Sequence, residues 1–305
     1  MPSVRNDSTI EVREPTGRPR AGRRVWRIRL ILLAVVVAFG AGLVSTLPAI
    51  GANALLHPLR LGASLAPPAG CLEREWSGAG VVLRGWQCAA VGQRRGTLVY
   101  LHGVADTRAS GLGLIERFVP RGFDVVAYDS RAHGESEGDA CTYGFHEKQD
   151  LRRVLDTLPS GPIVLFGASL GGAVALQAAE DEPRVSAIVA IEPFADLETI
   201  VRERAPFFLT EGMFQRALRI AEQKGHFEVR AVSPERAAAG ITAPVLLVHG
   251  ANDVETRPEH SQRVFEALGG GKRLIVVPGA GHNATLRPAV WDEATRWIDA
   301  VLPPA

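Results

Sequence analysis

The chain has 305 residues, which is enough for one large domain and a separate N-terminal segment. Hydrophobic residues make up 46% of the chain, which is ample for a core. The formal net charge of +1 gives no nucleic-acid signature, because much of the excess arginine precedes residue 30. Lysine is nearly absent while arginine, alanine and glycine abound, which indicates a bacterial protein from a GC-rich genome.

The N-terminal segment joins an arginine-rich tail to an apolar run. Residues 30–50 carry no charge, and several arginines stand just before them. A helix of about 20 apolar residues spans the hydrocarbon core of a bilayer, and a positive flank stays in the cytoplasm. We expect a cytoplasmic tail over residues 1–27, a transmembrane signal anchor over 28–50 and an Ala/Pro/Gly linker over 51–70. The domain at 71–305 would then lie outside the bacterial cytoplasmic membrane.

A cleaved signal peptide is the alternative reading of this segment. Residues 52–54 read Ala-Asn-Ala, which has the form of a cleavage site, so the mature protein would be secreted after cleavage near Ala54. The stretch before the apolar run is long for a signal peptide, and the run itself is longer than usual. These two features favour a retained anchor.

A β-hairpin is predicted where the folded domain begins. Residues 72–76 and 81–87 form its strands around a turn at 77–80, and Cys71 and Cys88 flank them. The near-symmetry about the turn brings these two cysteines close together. A disulfide fits an exported domain, and two free core thiols remain the alternative. The third cysteine, Cys141, is given no role.

The rest of the domain alternates strands with helices, which predicts a doubly wound, mostly parallel α/β sheet. Parallel strands are expected near residues 97–101, 123–128, 162–167, 185–191, 244–249 and 273–277. Helices are expected near residues 109–120, 146–158, 170–181, 256–268 and 289–301. A longer insert, about 193–240, separates the sixth and seventh strands and is expected to form a helical cap.

A serine lies at the apex of the turn between the strand near 162–167 and the Ala-rich helix that follows. The turn reads Gly167-Ala168-Ser169-Leu170-Gly171. Gly167 and Gly171 suit a turn so sharp that side chains two residues either side of Ser169 are hardly tolerated. Such a turn exposes the serine Oγ and aims the helix N-terminus at the reacting centre. It indicates a nucleophile elbow.

A serine nucleophile needs a base and a carboxylate, in the chain order Ser, Asp, His. Asp253 follows the strand near 244–249, and His282 lies in the loop after the strand near 273–277. The carboxyl ends of parallel strands meet at one edge of the sheet, so Ser169, Asp253 and His282 should meet there. Asp253 could instead cap the next helix, and Asp196 is the competing acid.

An oxyanion hole is the remaining requirement of this chemistry. The strand near 97–101 runs into His102-Gly103-Val104, and we expect the backbone N–H of Val104 to join that of Leu170. Losing one such donor typically lowers turnover by about 10²–10³.

With these motifs the chain resembles the α/β-hydrolases, in the group of serine hydrolases related to the serine aminopeptidase and ABHD-type branches. The likeness covers roughly residues 71–305. Its matching residues are Leu101-His102-Gly103, Asp129 to Ser136, Gly167 to Gly171, His249 to Asp253, and Gly281-His282. One departure is Ala132, which replaces the first glycine of the usual D-x-R-G-H-G-x-S loop. We expect that position to need only a small residue.

The predicted chemistry is acyl transfer. His282 takes the proton of Ser169, Asp253 orients the imidazole, and water then releases the acid from the acyl-enzyme. No metal or organic cofactor is required, and no histidine shows metal-ligand spacing. His102, His133 and His249 are interpreted as structural.

A membrane-tethered enzyme with an apolar cap suggests a carboxylesterase or lipase-like activity on lipid or other hydrophobic esters. Four apolar residues of the insert either line an acyl pocket or form the cap's own core: Phe207, Phe208, Met213 and Phe214.

Other functions stay open. A peptidase or aminopeptidase would need a polar anchor for the substrate's amino group, for which Glu192, Asp196 and Glu198 are the candidates. A thioesterase or acyltransferase would share the same triad. A non-catalytic, membrane-anchored binding module is the alternative from another class. Dehalogenases are disfavoured, because they need a carboxylate where Ser169 stands.

Overall fold

A computed structural model describes residues 21–62 and 66–302. Within its first helix, the side chains of residues 21–23, 39, 41 and 43 lie outside this description. Most of the arginine-rich tail predicted over residues 1–27 is therefore outside the described part of the chain.

The folded domain is built on one sheet, which has eight strands among the described residues, in the order β1-β2-β4-β3-β5-β6-β7-β8. The β1–β2 and β2–β4 pairs are antiparallel, and every other neighbouring pair is parallel. The strands are β1 (Cys71–Ser77), β2 (Val82–Cys88), β3 (Gly96–Leu101), β4 (Phe123–Tyr128), β5 (Ile163–Ala168), β6 (Val185–Ile191), β7 (Val245–Gly250) and β8 (Lys272–Val277). This arrangement confirms the predicted α/β-hydrolase fold and its N-terminal hairpin.

Among the described residues, helices precede, connect and follow the strands, and three of them form the insert. They are α1 (Ala21–Leu56), α2 (Leu112–Phe118), α3 (Glu147–Leu155), α4 (Leu170–Ala179), α5 (Leu197–Arg204), α6 (Glu211–Gly225), α7 (Pro234–Ala238), α8 (Pro258–Ala267) and α9 (Pro288–Val301). The insert between β6 and β7 contains α5, α6 and α7. The predicted strands and helices agree with these bounds to within a few residues.

The core lies on both faces of the sheet, because successive side chains of a strand point to opposite sides. In β3, Val99 and Leu101 belong to one buried cluster, while Leu98 and Tyr100 belong to the other. The first cluster includes α4, and the second includes α2 and α9. Burying β3 on both faces explains why residues 98–101 form a continuous apolar run.

Helix α1 runs through residues predicted to be an anchor and then a linker. Among the described residues, none of the helices combines the length and apolarity needed for a membrane span. The contacts divide the chain into one unit up to Leu47 and a second from Pro48 onward. In the second unit, Ala52 and Leu56 are fully buried in the core. Residues 51–56, predicted as the start of a linker, are therefore helical, and Ala52 and Leu56 belong to the core.

The hairpin carries a disulfide between Cys71 and Cys88. The two residues are directly opposite each other in the β1–β2 register, which is the closeness that the sequence symmetry predicts. Of the two alternatives left open by the sequence, the structure has the disulfide. Cys141 is a buried free thiol, and burial raises its pKa well above the ordinary value.

The loop after β4 corrects one expectation. Ala132 has a φ of +60°, in the left-handed region that an L-residue other than Gly, Asn or Asp seldom enters. The position therefore requires a left-handed backbone as well as a small side chain, which is the physical reason for a glycine there. Asp129 ties this loop to the segment before α2, because its carboxylate accepts the backbone N–H groups of Glu135 and Arg108.

Candidate active site

Ser169 stands at a sharp turn between β5 and α4. Its φ is +49°, and its backbone N–H donates to the carbonyl of Ile191 at 2.7 Å. A Cβ at Gly171 would overlap the carbonyl group of Leu101, and one at Gly167 would overlap the backbone of Gly171. The strained backbone at Ser169 is thus held by a close packing that only glycine permits at both flanking positions.

Ser169, His282 and Asp253 form one hydrogen-bonded chain, although they come from three separate loops. Ser169 Oγ lies 3.0 Å from His282 Nε2, and His282 Nδ1 lies 2.6 Å from Asp253 Oδ2. With the proton on Nδ1 donated to the carboxylate, Nε2 is free to accept the serine proton. The structure brings together all three side chains that the sequence nominated for nucleophile, base and acid.

Asp253 follows β7, and several donors hold its buried carboxylate. Oδ1 accepts the backbone N–H groups of Glu255 and Thr256, each at 2.9 Å. Oδ2 faces His282 and also lies 3.3 Å from Nε2 of His249. Burial alone would raise the pKa of Asp253, but the hydrogen bonds to the two histidines and to Thr256 outweigh it and hold the pKa well below its usual range. Asp253 is therefore ionised at neutral pH.

The charges around His282 oppose the effect of its burial. Burial lowers the pKa of His282, but its hydrogen bond to Asp253 and the negative charges of Asp253, Glu192 and Glu255 raise it. The net result is a pKa above the ordinary value of 6.5. A more basic imidazole is a better proton acceptor, and its protonated form is stabilised once it has taken the proton.

The two residues predicted to donate to an oxyanion both lie beside Ser169. Leu170 is the first residue of α4, where backbone N–H groups have no partner within the helix. Val104 lines the same cavity as Ser169. It follows Gly103, where a Cβ would come 3.6 Å from the Cβ of Ser169. The loop after β3 is therefore close enough to the serine to share an oxyanion with Leu170.

A cavity of about 400 Å³ opens above the serine. Tyr100, Asp106, Ser110, Arg204 and Glu255 give much of its lining a polar character. The apolar residues Val104, Ile191 and Leu286 line it as well. Sequence reasoning missed Asp106 and Arg204, because neither belongs to a motif and only the folded loops carry them to the cavity.

The aromatic cluster of the insert is not among the described residues that line this cavity. Phe214 is buried in the core, whereas Phe207 is fully exposed and Phe208 is more than half exposed. Among the described residues, Arg204 is what the insert contributes to the lining. Its guanidinium is held by the carbonyl of Glu255 and the hydroxyl of Thr256, each at 3.0 Å.

The polar residues nominated as a peptide anchor have other contacts. Asp196 caps α5 by accepting the Thr199 N–H and pairs with Arg263. Glu198 interacts with Arg202. Glu192 is buried behind His282, 3.4 Å from its Nδ1. The competing acid Asp196 is thus a helix cap.

Three other histidines are buried, and each has hydrogen-bond contacts with nearby backbone or hydroxyl groups. His102 accepts the Ser130 N–H at Nε2, and the Nδ1 of His133 lies 2.8 Å from the carbonyl of Arg131. His249 lies between the hydroxyl of Ser261 and the carbonyl of Thr256. Burial lowers the pKa of His133 to about 4. These contacts agree with the structural roles expected from the sequence.

Glu192, Asp253 and His282 also form the one group among the described residues whose ligand atoms could hold a metal ion, all within 4.8 Å of one another. Their mutual hydrogen bonds and the Asn283 N–H already account for this arrangement.

Two protein family models match parts of the chain that include Ser169. The α/β hydrolase fold family matches residues 96–219, and the prolyl oligopeptidase family matches residues 158–303. The uncharacterised protein YqkD of Bacillus subtilis is 30% identical over 196 residues, which cover 61% of this chain and 64% of YqkD. Human protein ABHD12B is 28% identical over 216 residues, which cover 65% of this chain and 59% of ABHD12B. The matched region is therefore under two thirds of either relative.

Among solved structures, the esterase Pf2001 of Pyrococcus furiosus has the same fold. It superposes with a TM-score of 0.67 at 24% identity, covering 81% of this chain and 98% of the esterase. These matches agree with the strand order and with the elbow geometry, while the serine aminopeptidase branch stays a prediction. The chain has the α/β-hydrolase fold.

Proposed function

We propose that this protein is a serine hydrolase that cleaves carboxylic esters with Ser169 as nucleophile, His282 as general base and Asp253 as the acid that orients it. The observation that carries the proposal is the unbroken chain from Ser169 Oγ through His282 to Asp253, with contacts of 3.0 and 2.6 Å. A serine hydroxyl is a weak nucleophile unless a base within hydrogen-bonding reach removes its proton.

The reaction follows from these positions. His282 Nε2 takes the hydroxyl proton as Ser169 Oγ attacks the ester carbonyl, and the N–H groups of Leu170 and Val104 stabilise the oxyanion. The imidazolium then gives its proton to the leaving alcohol, and an acyl-enzyme remains. A water that is deprotonated by His282 attacks the acyl group and releases the acid.

The cavity favours a small ester. A volume of about 400 Å³ is near the lower end of the range for small-molecule sites, and its charged lining does not suit a long alkyl chain. We therefore expect short acyl groups to react faster than long ones. The expected substrates are therefore smaller than the lipid or hydrophobic esters predicted from the sequence. The insert's exposed phenylalanines do not line the cavity and so cannot extend it.

A series of p-nitrophenyl esters from acetate to palmitate tests the proposal on the full chain in mild detergent. The wild type should hydrolyse the short esters best, and Ser169→Ala should lose at least about 10³-fold in kcat. A folded wild type that hydrolyses none of the esters would favour the non-catalytic binding module.

A peptidase with the same three residues is the second candidate. The match to the prolyl oligopeptidase family supports it, as does the acidic Asp106 in the cavity, since a carboxylate can hold a substrate amino group. An aminopeptidase should hydrolyse aminoacyl p-nitroanilides faster than esters. Asp106→Asn should then raise KM for the anilides and leave ester hydrolysis nearly unchanged. A thioesterase would be recognised by preferential cleavage of acyl thioesters.

We also propose that residues 28–50 anchor the protein in the bacterial cytoplasmic membrane, with the N-terminus inside and the hydrolase domain outside. No described helix qualifies as a span, so the proposal rests on the charge-free residues 30–50 and the arginines before them. It is supported by the exposed apolar side chains of α1, such as Ile31 and Val36, because a row of exposed apolar side chains marks a surface that a membrane or a partner buries.

Membrane fractionation with a carbonate wash tests the anchor. The full chain should stay with the membranes at its full mass, and the double variant Leu33→Arg/Val36→Arg should be released. A wild-type protein that washes off or is shortened near Ala54 would support secretion instead.

A further inference from the structure

A second buried carboxylate lies behind the base, and the Ser169–His282–Asp253 chain does not use it. Glu192 immediately follows β6, is 1% exposed and has a φ of +52°. Its backbone N–H donates to the carbonyl of Val248 at 2.8 Å. A left-handed glutamate costs free energy, and such strain persists where surrounding contacts impose it, often at functional sites.

The side chain of Glu192 contacts the loop that carries the base. Its Oε2 accepts the backbone N–H of Asn283 at 2.6 Å and lies 3.4 Å from Nδ1 of His282. Asn283 is itself left-handed, with a φ of +60°. Oε1 of Glu192 is buried and has no hydrogen-bond partner among the described residues. The Glu192 carboxylate therefore holds Asn283, the residue after the base, and its Oε1 is still available to accept a hydrogen bond.

Two carboxylates thus share the Nδ1 side of one imidazole. Nδ1 carries a single hydrogen, and it donates this hydrogen to Asp253 Oδ2, 2.6 Å away. Glu192 Oε2 is the second carboxylate oxygen near Nδ1, at 3.4 Å. The titratable groups that act on His282 are Asp253, Glu192 and Glu255, and those that act on Glu192 are His282, Asp253 and His249. Burial raises the pKa of Glu192, whereas the pKa of Asp253 is lowered. The two acids are therefore not equivalent.

We propose that Glu192 is a positioning residue for His282: it holds the base loop through the Asn283 N–H and accepts the hydrogen bond from Nδ1–H when the Asp253 carboxylate is removed. This inference rests on the proposed serine hydrolase function. In the intact protein Asp253 is the nearer acceptor, and Glu192 acts mainly on the loop and through its charge. Without Asp253, a small rotation of the imidazole would bring Nδ1 to Glu192.

A double-mutant cycle on the full chain tests the proposal, with kcat/KM for p-nitrophenyl acetate as the readout. Glu192→Gln keeps an oxygen for the Asn283 N–H and removes the charge. It should lower kcat/KM less than about tenfold in the wild type, and about 10²-fold or more in the Asp253→Ala background. An equal effect in both backgrounds would overturn the role as second acceptor. Circular dichroism on each variant identifies loss of fold.

A measurement without turnover separates this inference from the proposed function. In Ser169→Ala protein, NMR titration of His282 should give a lower pKa when Glu192→Gln is added, because a negative charge beside the imidazole is lost. Glu259→Gln, on the exposed surface of α8, is the matched control and should leave this pKa unchanged. No change with Glu192→Gln would overturn the proposal. If the wild type hydrolyses esters while both Glu192 tests fail, the serine hydrolase function stands and this inference alone is wrong.

Discussion

Removing the disulfide between Cys71 and Cys88 should destabilise the domain by an amount that follows from the length of the loop it closes. The bridge closes a loop with a sequence separation of 17. Loop-closure entropy for a loop of that size corresponds to about 3 kcal/mol at 25 °C. Because a domain of this size loses about 2–4 °C of Tm per kcal/mol, the melting temperature should fall by about 6–12 °C.

The double variant Cys71→Ala/Cys88→Ala gives the cleanest test, because both sulfurs are buried and alanine adds no polar group. Urea unfolding followed by tryptophan fluorescence should show the lower midpoint. Adding a reductant during unfolding should lower the midpoint of the wild type to a similar value and leave the double variant unchanged. If the double variant unfolds at the wild-type midpoint, or if the reductant shifts both proteins equally, the reasoning is refuted.

Two further predictions concern the catalytic centre and its frame. His282 must be neutral to accept the serine proton, and its pKa is raised, so kcat/KM should fall as the pH drops. The pH at which kcat/KM reaches half of its maximum should lie above 6.5. A half-maximum below pH 6 would contradict the charges assigned around His282. Gly171→Ala should lower the free energy of unfolding by at least about 3 kcal/mol, because its Cβ would overlap the Leu101 carbonyl. Gly113→Ala, whose Cβ would make an ordinary 3.6 Å contact with Trp291, is the matched control, and equal losses in urea unfolding would disprove the explanation.

The parts of the fold that the sequence predicts well are those set by local pattern. Buried parallel strands appear as continuous apolar runs, and the elbow is a short motif whose glycines have a direct steric cause. Ser169, Asp253 and His282 each follow a parallel strand, and the sheet gathers the carboxyl ends of these strands at one edge.

Long-range contacts and backbone angles explain what the sequence did not reveal. From the sequence, the position of Ala132 needs only a small residue. Its left-handed φ is visible only in the folded loop. The sequence suggests Glu192 only as a peptide anchor, because its neighbours His282 and Asn283 are about 90 residues away in the chain. Ala52 and Leu56 resemble linker residues because the surface that buries them comes from later parts of the chain.

Covalent labelling of Ser169 tests the central claim most directly. The full chain is treated with a fluorophosphonate, and the modified peptide is identified by mass spectrometry. A nucleophile activated by His282 should carry the phosphonyl group on Ser169 in the wild type and in Ser110→Ala, which removes another serine of the cavity. Ser169→Ala should not react. A folded wild type without an adduct, or an adduct that persists in Ser169→Ala, would contradict the account.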